Sequence, residues 1–253
     1  MKPLKLCVHG AAGRLGSLVI GALEEYPNIV LSAALVRGGS ELIGKRCQGE
    51  VLYSAELDLA IASADLVVDF STAQASLLCA ERCCAAGRAL LIGTTGHSEA
   101  ERRTFAQAGE RIPIALIPNT SIGMAALKSA ALEISQLLPE RCDIEISESH
   151  HAKKKDAPSG SALWLARALA ASRSLSINSA REGARKPGEL GIASLRGGDV
   201  VGEHTVHFFL DGERIEISHR VADRKIFARG ALFLGQKLIL RGKGFYDVDD
   251  LLG

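Results

Sequence analysis

The chain has 253 residues, 47% of them hydrophobic, with 30 Lys and Arg against 29 Asp and Glu. A net charge of +1 excludes the global positive field of a nucleic-acid or membrane-surface binder, so any positive site must be local. No apolar run is long enough to span a membrane, and Met1-Lys2-Pro3-Leu4 leads straight into a strand with no signal-peptide h-region. Cys7, Cys47, Cys79, Cys83, Cys84 and Cys142 form no Cys-x-x-Cys pair and no regular spacing with histidine. Buried reduced thiols, a cytoplasmic setting and no metal are therefore expected.

Leu4 to Val8 reads as a strand, followed by Gly10-Ala11-Ala12-Gly13-Arg14-Leu15-Gly16 and then Leu15, Leu18, Val19, Ala22 and Leu23 at helical spacing. Strand, glycine turn and helix is the context of a dinucleotide fingerprint, although the spacing is Gly-x-x-Gly-x-x-Gly. The glycines admit a pyrophosphate close to the backbone, and the helix N-terminus favours its charge. Ile29 to Val36 reads as the next strand. Its end would meet an adenosine ribose, and there the chain has Val36 and Arg37 in place of an acidic residue.

Strand and helix then alternate: strand Leu66–Phe70, helix Ala73–Ala86, strand Ala89–Ile92, helix Ser98–Ala108 and strand Ile114–Ile117. Ser98 and Glu101 have the spacing of a capping box. This order predicts a mostly parallel sheet with helices on both faces. Ligands bind beyond the carboxyl ends of such strands, where Phe70-Ser71, Gly93-Thr94-Thr95 and Pro118-Asn119-Thr120 fall.

From Ile122 the texture changes. A helix over Met124–Leu138 precedes a strand at Asp143–Ser147. Then comes a loop holding His150, His151, Lys153, Lys154 and Lys155, and a helix that opens at Ser159-Gly160-Ser161. Imidazoles, ammonium groups and a helix N-terminus within a dozen residues point to a small, multiply negative ligand. Ser172–Gly191 is polar and reads as a mobile loop. Strands are expected at Ile192–Arg196, Glu203–Leu210 and Arg214–Val221, the last two joined by Asp211-Gly212, a hairpin signal. A helix over Phe227–Leu240 and a closing segment over Gly244–Leu251 follow. Two domains are expected, a doubly wound α/β domain (1–121 with 222–253) and a smaller α+β domain (122–221) with an open mixed or antiparallel sheet.

Glu148-x-His150-His151-x-x-Lys154-x-Asp156-Ala157-Pro158-Ser159-Gly160-Ser161-Ala162 resembles the signature of the 4-hydroxy-tetrahydrodipicolinate (dihydrodipicolinate) reductase family. The similarity extends over Gly10–Gly16, Asp69-Phe70-Ser71, Gly93–Gly96, Pro118-Asn119, Arg196–His204 and the Phe-Tyr-Asp tail. It implies a Rossmann-type domain completed by the C-terminal segment, and a substrate domain whose sheet packs into a homo-tetramer. It also implies NADPH or NADH as cofactor, a small dicarboxylate imine as substrate, and reduction to tetrahydrodipicolinate for lysine or diaminopimelate synthesis. His150 and Lys154 match catalytic positions, and His151, Gly160 and Ser161 match substrate-binding ones. Gly10, Ala11, Ala12, Gly13, Arg14, Leu15, Arg37, Gly93, Thr94, Thr95, Pro118, Asn119 and Thr120 are the expected cofactor contacts.

The chain departs from the family pattern in three places. Ser161 stands for the usual Thr and keeps the hydroxyl. Thr120 stands where an aromatic residue often packs near the nicotinamide. Val36 stands where many members have an acid. Two alternatives use the same cofactor fold: a related amino- or imino-acid dehydrogenase, and a dinucleotide-binding regulator without turnover. A serine hydrolase using Ser159 or Ser161 is disfavoured by the lack of a Gly-x-Ser-x-Gly elbow.

Overall fold

A computed structural model describes residues 2–253, which leaves Met1, where the N-terminal reading begins, outside the described residues. The described chain divides into two compact units, one running through Ser121 and resuming at Arg224–Gly253, the other Ile122–Asp223.

The first unit is built on β1 (Leu4–His9), β2 (Ile29–Leu35), β3 (Arg46–Gln48), β4 (Val51–Ser54), β5 (Leu66–Asp69), β6 (Ala89–Ile92), β7 (Pro113–Leu116) and β13 (Gly244–Tyr246). The strand order is β13-β7-β6-β5-β1-β2-β4-β3, parallel throughout except for the β3–β4 pair. Helices α1 (Arg14–Ala22), α2 (Leu57–Ala62), α3 (Ala73–Ala86), α4 (Glu99–Gly109), α7 (Lys225–Ile239) and α8 (Val248–Leu252) complete it. Strand β5 explains why the sheet holds: Leu66, Val67 and Val68 are wholly buried. Burying an aliphatic side chain of this size contributes about 1.5–3 kcal/mol. The strand order reverses its direction of progress between β1, which continues outward to β2, and β5, which continues the other way to β6. That switch point is where ligands bind in open α/β sheets.

The capping box expected at Ser98 and Glu101 is present, with Glu101 accepting from Ser98 N at 2.6 Å. Residues 46–62 carry β3, β4 and α2, for which no element was expected; two strands of three and four residues are too short to show a period.

The second unit is a five-stranded sheet in the order β12-β11-β8-β10-β9, with β8 (Asp143–His150), β9 (Ser176–Asn178), β10 (Glu189–Arg196), β11 (Gly202–Leu210) and β12 (Glu213–Val221). Helices α5 (Ile122–Leu137) and α6 (Gly160–Arg173) supply its core, where Leu127, Leu165 and Leu169 meet Ile144, Val206 and Phe208. The sheet is mixed: β11 runs antiparallel to β8 and β12, while β10 runs parallel to β8 and β9. The parallel pairing follows from the α6 crossover, which returns the chain to the same end of the sheet.

Two expectations need correction here. The strand before the central loop continues to His150, because Glu148, Ser149 and His150 pair with both β10 and β11. Nor is Ser172–Gly191 one mobile loop: it holds the end of α6, all of β9 and the start of β10. Its arginines are the reason. Arg181 pairs with Glu145 at 2.5 Å and with Glu189 at 2.7 Å, and Arg185 reaches Glu145 and, at 2.9 Å, Asp143.

Candidate functional site

Successive strand side chains point to opposite faces, so Glu148 and His150 share a face of β8. Register places Ser194 and His204 on either side of Glu148, and Arg196 beside His150. Glu148 is 1% exposed, and a carboxylate so buried needs partners. Arg196 grips it as a fork, Nη2 to Oε1 at 2.8 Å and Nη1 to Oε2 at 3.0 Å. The backbone N–H of Ser159 donates to Oε1 at 3.2 Å, and His150 Nδ1 lies 2.5 Å from Oε2. Burial alone would raise Glu148, but Arg196, Ser194 and His150 draw it below the ordinary glutamate value.

The ionised Glu148 accepts a hydrogen bond from the N–H at His150 Nδ1, which leaves Nε2 as the free nitrogen. Burial lowers His150 below its ordinary value, Lys154 and Arg196 lower it further, and Glu148 opposes them. The imidazole is therefore neutral at neutral pH. Gly202 keeps space beside Nε2, since a Cβ there would come within 3.1 Å of it. His204 packs edge-on at 5.3 Å between ring centroids, and its Nε2 lies 3.2 Å from Ser159 Oγ. Burial and the neighbouring His150 push His204 down to about 4, so it adds no charge.

Beyond β8 the chain turns through His151 to Pro158. Lys154 Nζ is ion-paired to Asp156 Oδ2 at 2.8 Å, and Lys154 N donates to His151 O at 3.0 Å. Ser159 caps α6 by accepting from Ala162 N at 3.1 Å. The first turn beyond it, Gly160 and Ser161, carries the positive end of the helix dipole. His150, His151, Lys154, Gly160 and Ser161 thus all lie on the segment from the end of β8 to the start of α6. Glu148, Arg196 and His204, quoted in the motifs without a role, turn out to orient His150. Glu148 was legible as a neighbour of His150 at i, i+2, whereas Arg196 joins it only through strand register.

The cofactor residues lie on the first unit. Gly10 has φ +80°, and a Cβ there would meet Phe70 O at 2.3 Å. A Cβ at Gly16 would meet Gly10 O at 2.2 Å, so the turn and α1 are pressed together. Gly13 caps α1 without a side chain, so the first-turn N–H groups of the helix remain for an anion. This cradle fits a dinucleotide pyrophosphate. Ala11 is buried, while Ala12, Gly13 and Arg14 are exposed and Leu15 is half-buried. Arg37 is exposed directly after buried Val36.

At the other strand ends, Gly93 is held against the Phe70 ring, while Thr95 and Pro118 are exposed. The Thr94 hydroxyl donates to Asp69 Oδ2 at 2.9 Å, and the Thr120 hydroxyl donates to Phe227 O at 2.6 Å. Both hydroxyls therefore brace the scaffold. Asn119 Oδ1 accepts from Ser121 N at 2.9 Å.

Residues 4–120 match the family model described as dihydrodipicolinate reductase, N-terminus, and residues 123–252 match the one described as dihydrodipicolinate reductase, C-terminus. The chain belongs to the dihydrodipicolinate reductase family. A 4-hydroxy-tetrahydrodipicolinate reductase of Anaeromyxobacter dehalogenans is 41% identical, covering 98% of this chain and 97% of the relative. One from Rhodopseudomonas palustris is 40% identical over 100% and 98%. Among solved structures, a dipicolinate-bound dihydrodipicolinate reductase from Paenisporosarcina sp. TG-14 superposes with a TM-score of 0.82, at 22% identity and 97% coverage of both chains. An amine dehydrogenase from Mycobacterium smegmatis shares the fold more distantly, with a TM-score of 0.63 at 13% identity over 98% and 95%. Membership makes this chain an NAD(P)H-dependent oxidoreductase and sets aside both alternative enzyme classes and the regulator.

Proposed function

We propose that this chain reduces 4-hydroxy-tetrahydrodipicolinate to tetrahydrodipicolinate, for lysine or diaminopimelate synthesis, with His150 as the base and Lys154 as the acid. One observation supports the assignment above all: burial keeps His150 neutral at the end of β8, Glu148, itself gripped by Arg196, orients the ring so that Nε2 is free, and the loop that follows carries Lys154. The substrate loses water and gains a hydride and a proton. Loss of water needs a base for the carbon between imine and carbinol, and an acid for the departing hydroxyl. Neutral His150 accepts that carbon's proton at Nε2, and Lys154 protonates the hydroxyl, which leaves as water. The ring is now a conjugated imine. The reduced nicotinamide, when bound, supplies the hydride. The displaced electron pair collects towards the ring nitrogen, and the enamine carbon takes back the proton from His150. Lys154 recovers its proton from solvent, so one proton is consumed per turnover.

His151 and the first turn of α6 at Gly160 and Ser161 bind the two carboxylates, and Lys153 and Lys155 add positive field. Gly10, Ala11, Ala12, Gly13, Arg14 and Leu15 hold the pyrophosphate. Arg37, Gly93, Thr94, Thr95, Pro118, Asn119 and Thr120 line the rest of the dinucleotide, Thr94 and Thr120 through their backbones. With Val36 in place of an acid, NADPH is preferred, or both cofactors are used. The enzyme works in the cytoplasm, which agrees with its six free thiols, and as a homo-tetramer. Absorbance of reduced nicotinamide tests the reading, with substrate made in place by a synthase from pyruvate and aspartate semialdehyde. Oxidation that requires all components supports it. Dinucleotide binding without oxidation would overturn it.

A further inference from the structure

His9 closes β1 immediately before the glycine turn, and its register partner across the switch point is Asp69, the last residue of β5. Its Nδ1 lies 2.9 Å from Asp69 Oδ1, with the two side chains 14% and 0% exposed. Asp69 is also the meeting point of the neighbouring loops. Ser71 Oγ donates to Oδ1 at 2.5 Å, Thr94 Oγ1 donates to Oδ2 at 2.9 Å, and Ser76 Oγ also donates to Oδ2. Ser71 N in turn donates to Thr94 Oγ1 at 2.9 Å. The backbone follows the same pattern, with Phe70 N donating to His9 O and Gly93 N donating to Asp69 O, both at 2.9 Å. Phe70 is thereby wedged between Gly10, which its carbonyl abuts, and Gly93, which its ring abuts. One carboxylate thus ties together the ends of β1, β5 and β6 and the first turn of α3.

A carboxylate this deep is costly to keep ionised without a cation. Besides Asp69, the imidazole faces the Cys79 thiol from α3; Cys83 lies beyond it, with the two sulfurs 4.0 Å apart, and Cys7 lies two residues back on β1. His97 also lies within the field of Asp69. No Lys or Arg pairs with Asp69 among the described residues, so His9 is its cation.

We propose that the His9–Asp69 ion pair is the positioning device of the dinucleotide site, its charge fixing the spacing of the Gly10, Ser71 and Thr94 loops on which cofactor affinity depends. His9 touches neither cofactor nor substrate; it acts through Asp69. Burial would lower its affinity for a proton, but the Asp69 carboxylate outweighs burial and raises it, so the pair stays ionised at neutral pH. The inference rests on the reading of these loops as the cofactor site.

His9→Gln keeps a hydrogen-bonding group and removes the charge. Losing the buried ion pair leaves Asp69 without its cation and predicts a loss of affinity of about tenfold to a hundredfold for both NADPH and NADH. The substrate KM and the kcat at saturating cofactor should stay near wild type, a split that general loss of structure does not produce. Equal cofactor affinity in His9→Gln and wild type, or a fall in kcat without a change in cofactor KM, overturns the role. A wild type that binds neither dinucleotide removes the cofactor reading itself and this inference with it. Independently of any variant, ring carbon chemical shifts of His9 in the wild type should stay those of an imidazolium as pH rises past 6.5, its ordinary value. A ring that titrates there also overturns the proposal.

Discussion

At the residue scale, His150 at the end of β8 and Lys154 on the loop after it do different work, because one is neutral and the other is ion-paired. His150→Ala and Lys154→Ala should each lower kcat by about 10²–10⁴-fold, the usual contribution of a general base or acid. Dinucleotide affinity should change little, since the glycine turn lies on the other unit. Losses below about tenfold in both variants would remove their roles. The pH profile carries a sign. The base form of His150 is lost on acidification, so kcat/KM should fall only below pH 6.5, its lowered value setting the acid limb. Glu148 is the influence that raises His150, so Glu148→Gln should move this limb to still lower pH as well as slow turnover. A shift towards higher pH would show that Glu148 does not act on His150 in this way. Arg37 bears on cofactor choice, because a guanidinium pairs with a 2′-phosphate through two parallel bonds. Arg37→Ala should weaken NADPH more than NADH, read as kcat/KM for each cofactor. A wild-type preference for NADH, unchanged by the substitution, would mean that Arg37 only faces solvent.

At the element scale, strands place groups that no helix could bring together. Strand β8 offers Glu148 and His150 on one face, and its neighbours β10 and β11 deliver Arg196 and His204 to that pair. Away from this site, Glu145 does similar work for stability. It holds Arg181 and Arg185 and so anchors the segment between α6 and β10. Glu145→Ala should release residues 179–188 while leaving β8 paired. Hydrogen exchange should then show faster exchange there and unchanged protection in α6. Unchanged exchange throughout would show that β9 alone holds the segment.

At the scale of the whole molecule, the second unit ends its sheet in β12, which pairs only with β11. An edge strand invites pairing with another chain, and the tetramer proposed above would be built through this sheet. Light scattering of the purified protein should give the mass of four chains of 26.7 kDa. A stable monomer at micromolar concentration would end that expectation.

The sequence by itself determined what is local. The βα alternation through residue 117, the capping box at Ser98 and the glycine turn are written in periods and spacings of a few residues, which backbone geometry reads directly. The clustering of His150, His151 and Lys154 was legible for the same reason, since those groups lie within five positions of one another. Tertiary structure alone decided what depends on register and burial. It carried β8 through His150 by pairing it on both sides. It also converted a polar stretch at 172–191 into strand and anchored arginines. The partners of Glu148 and of His9 come from strands 48 and 60 residues away. Burial and a facing charge set the proton affinity of His150, His204 and His9, and neither can be seen before the chain has folded.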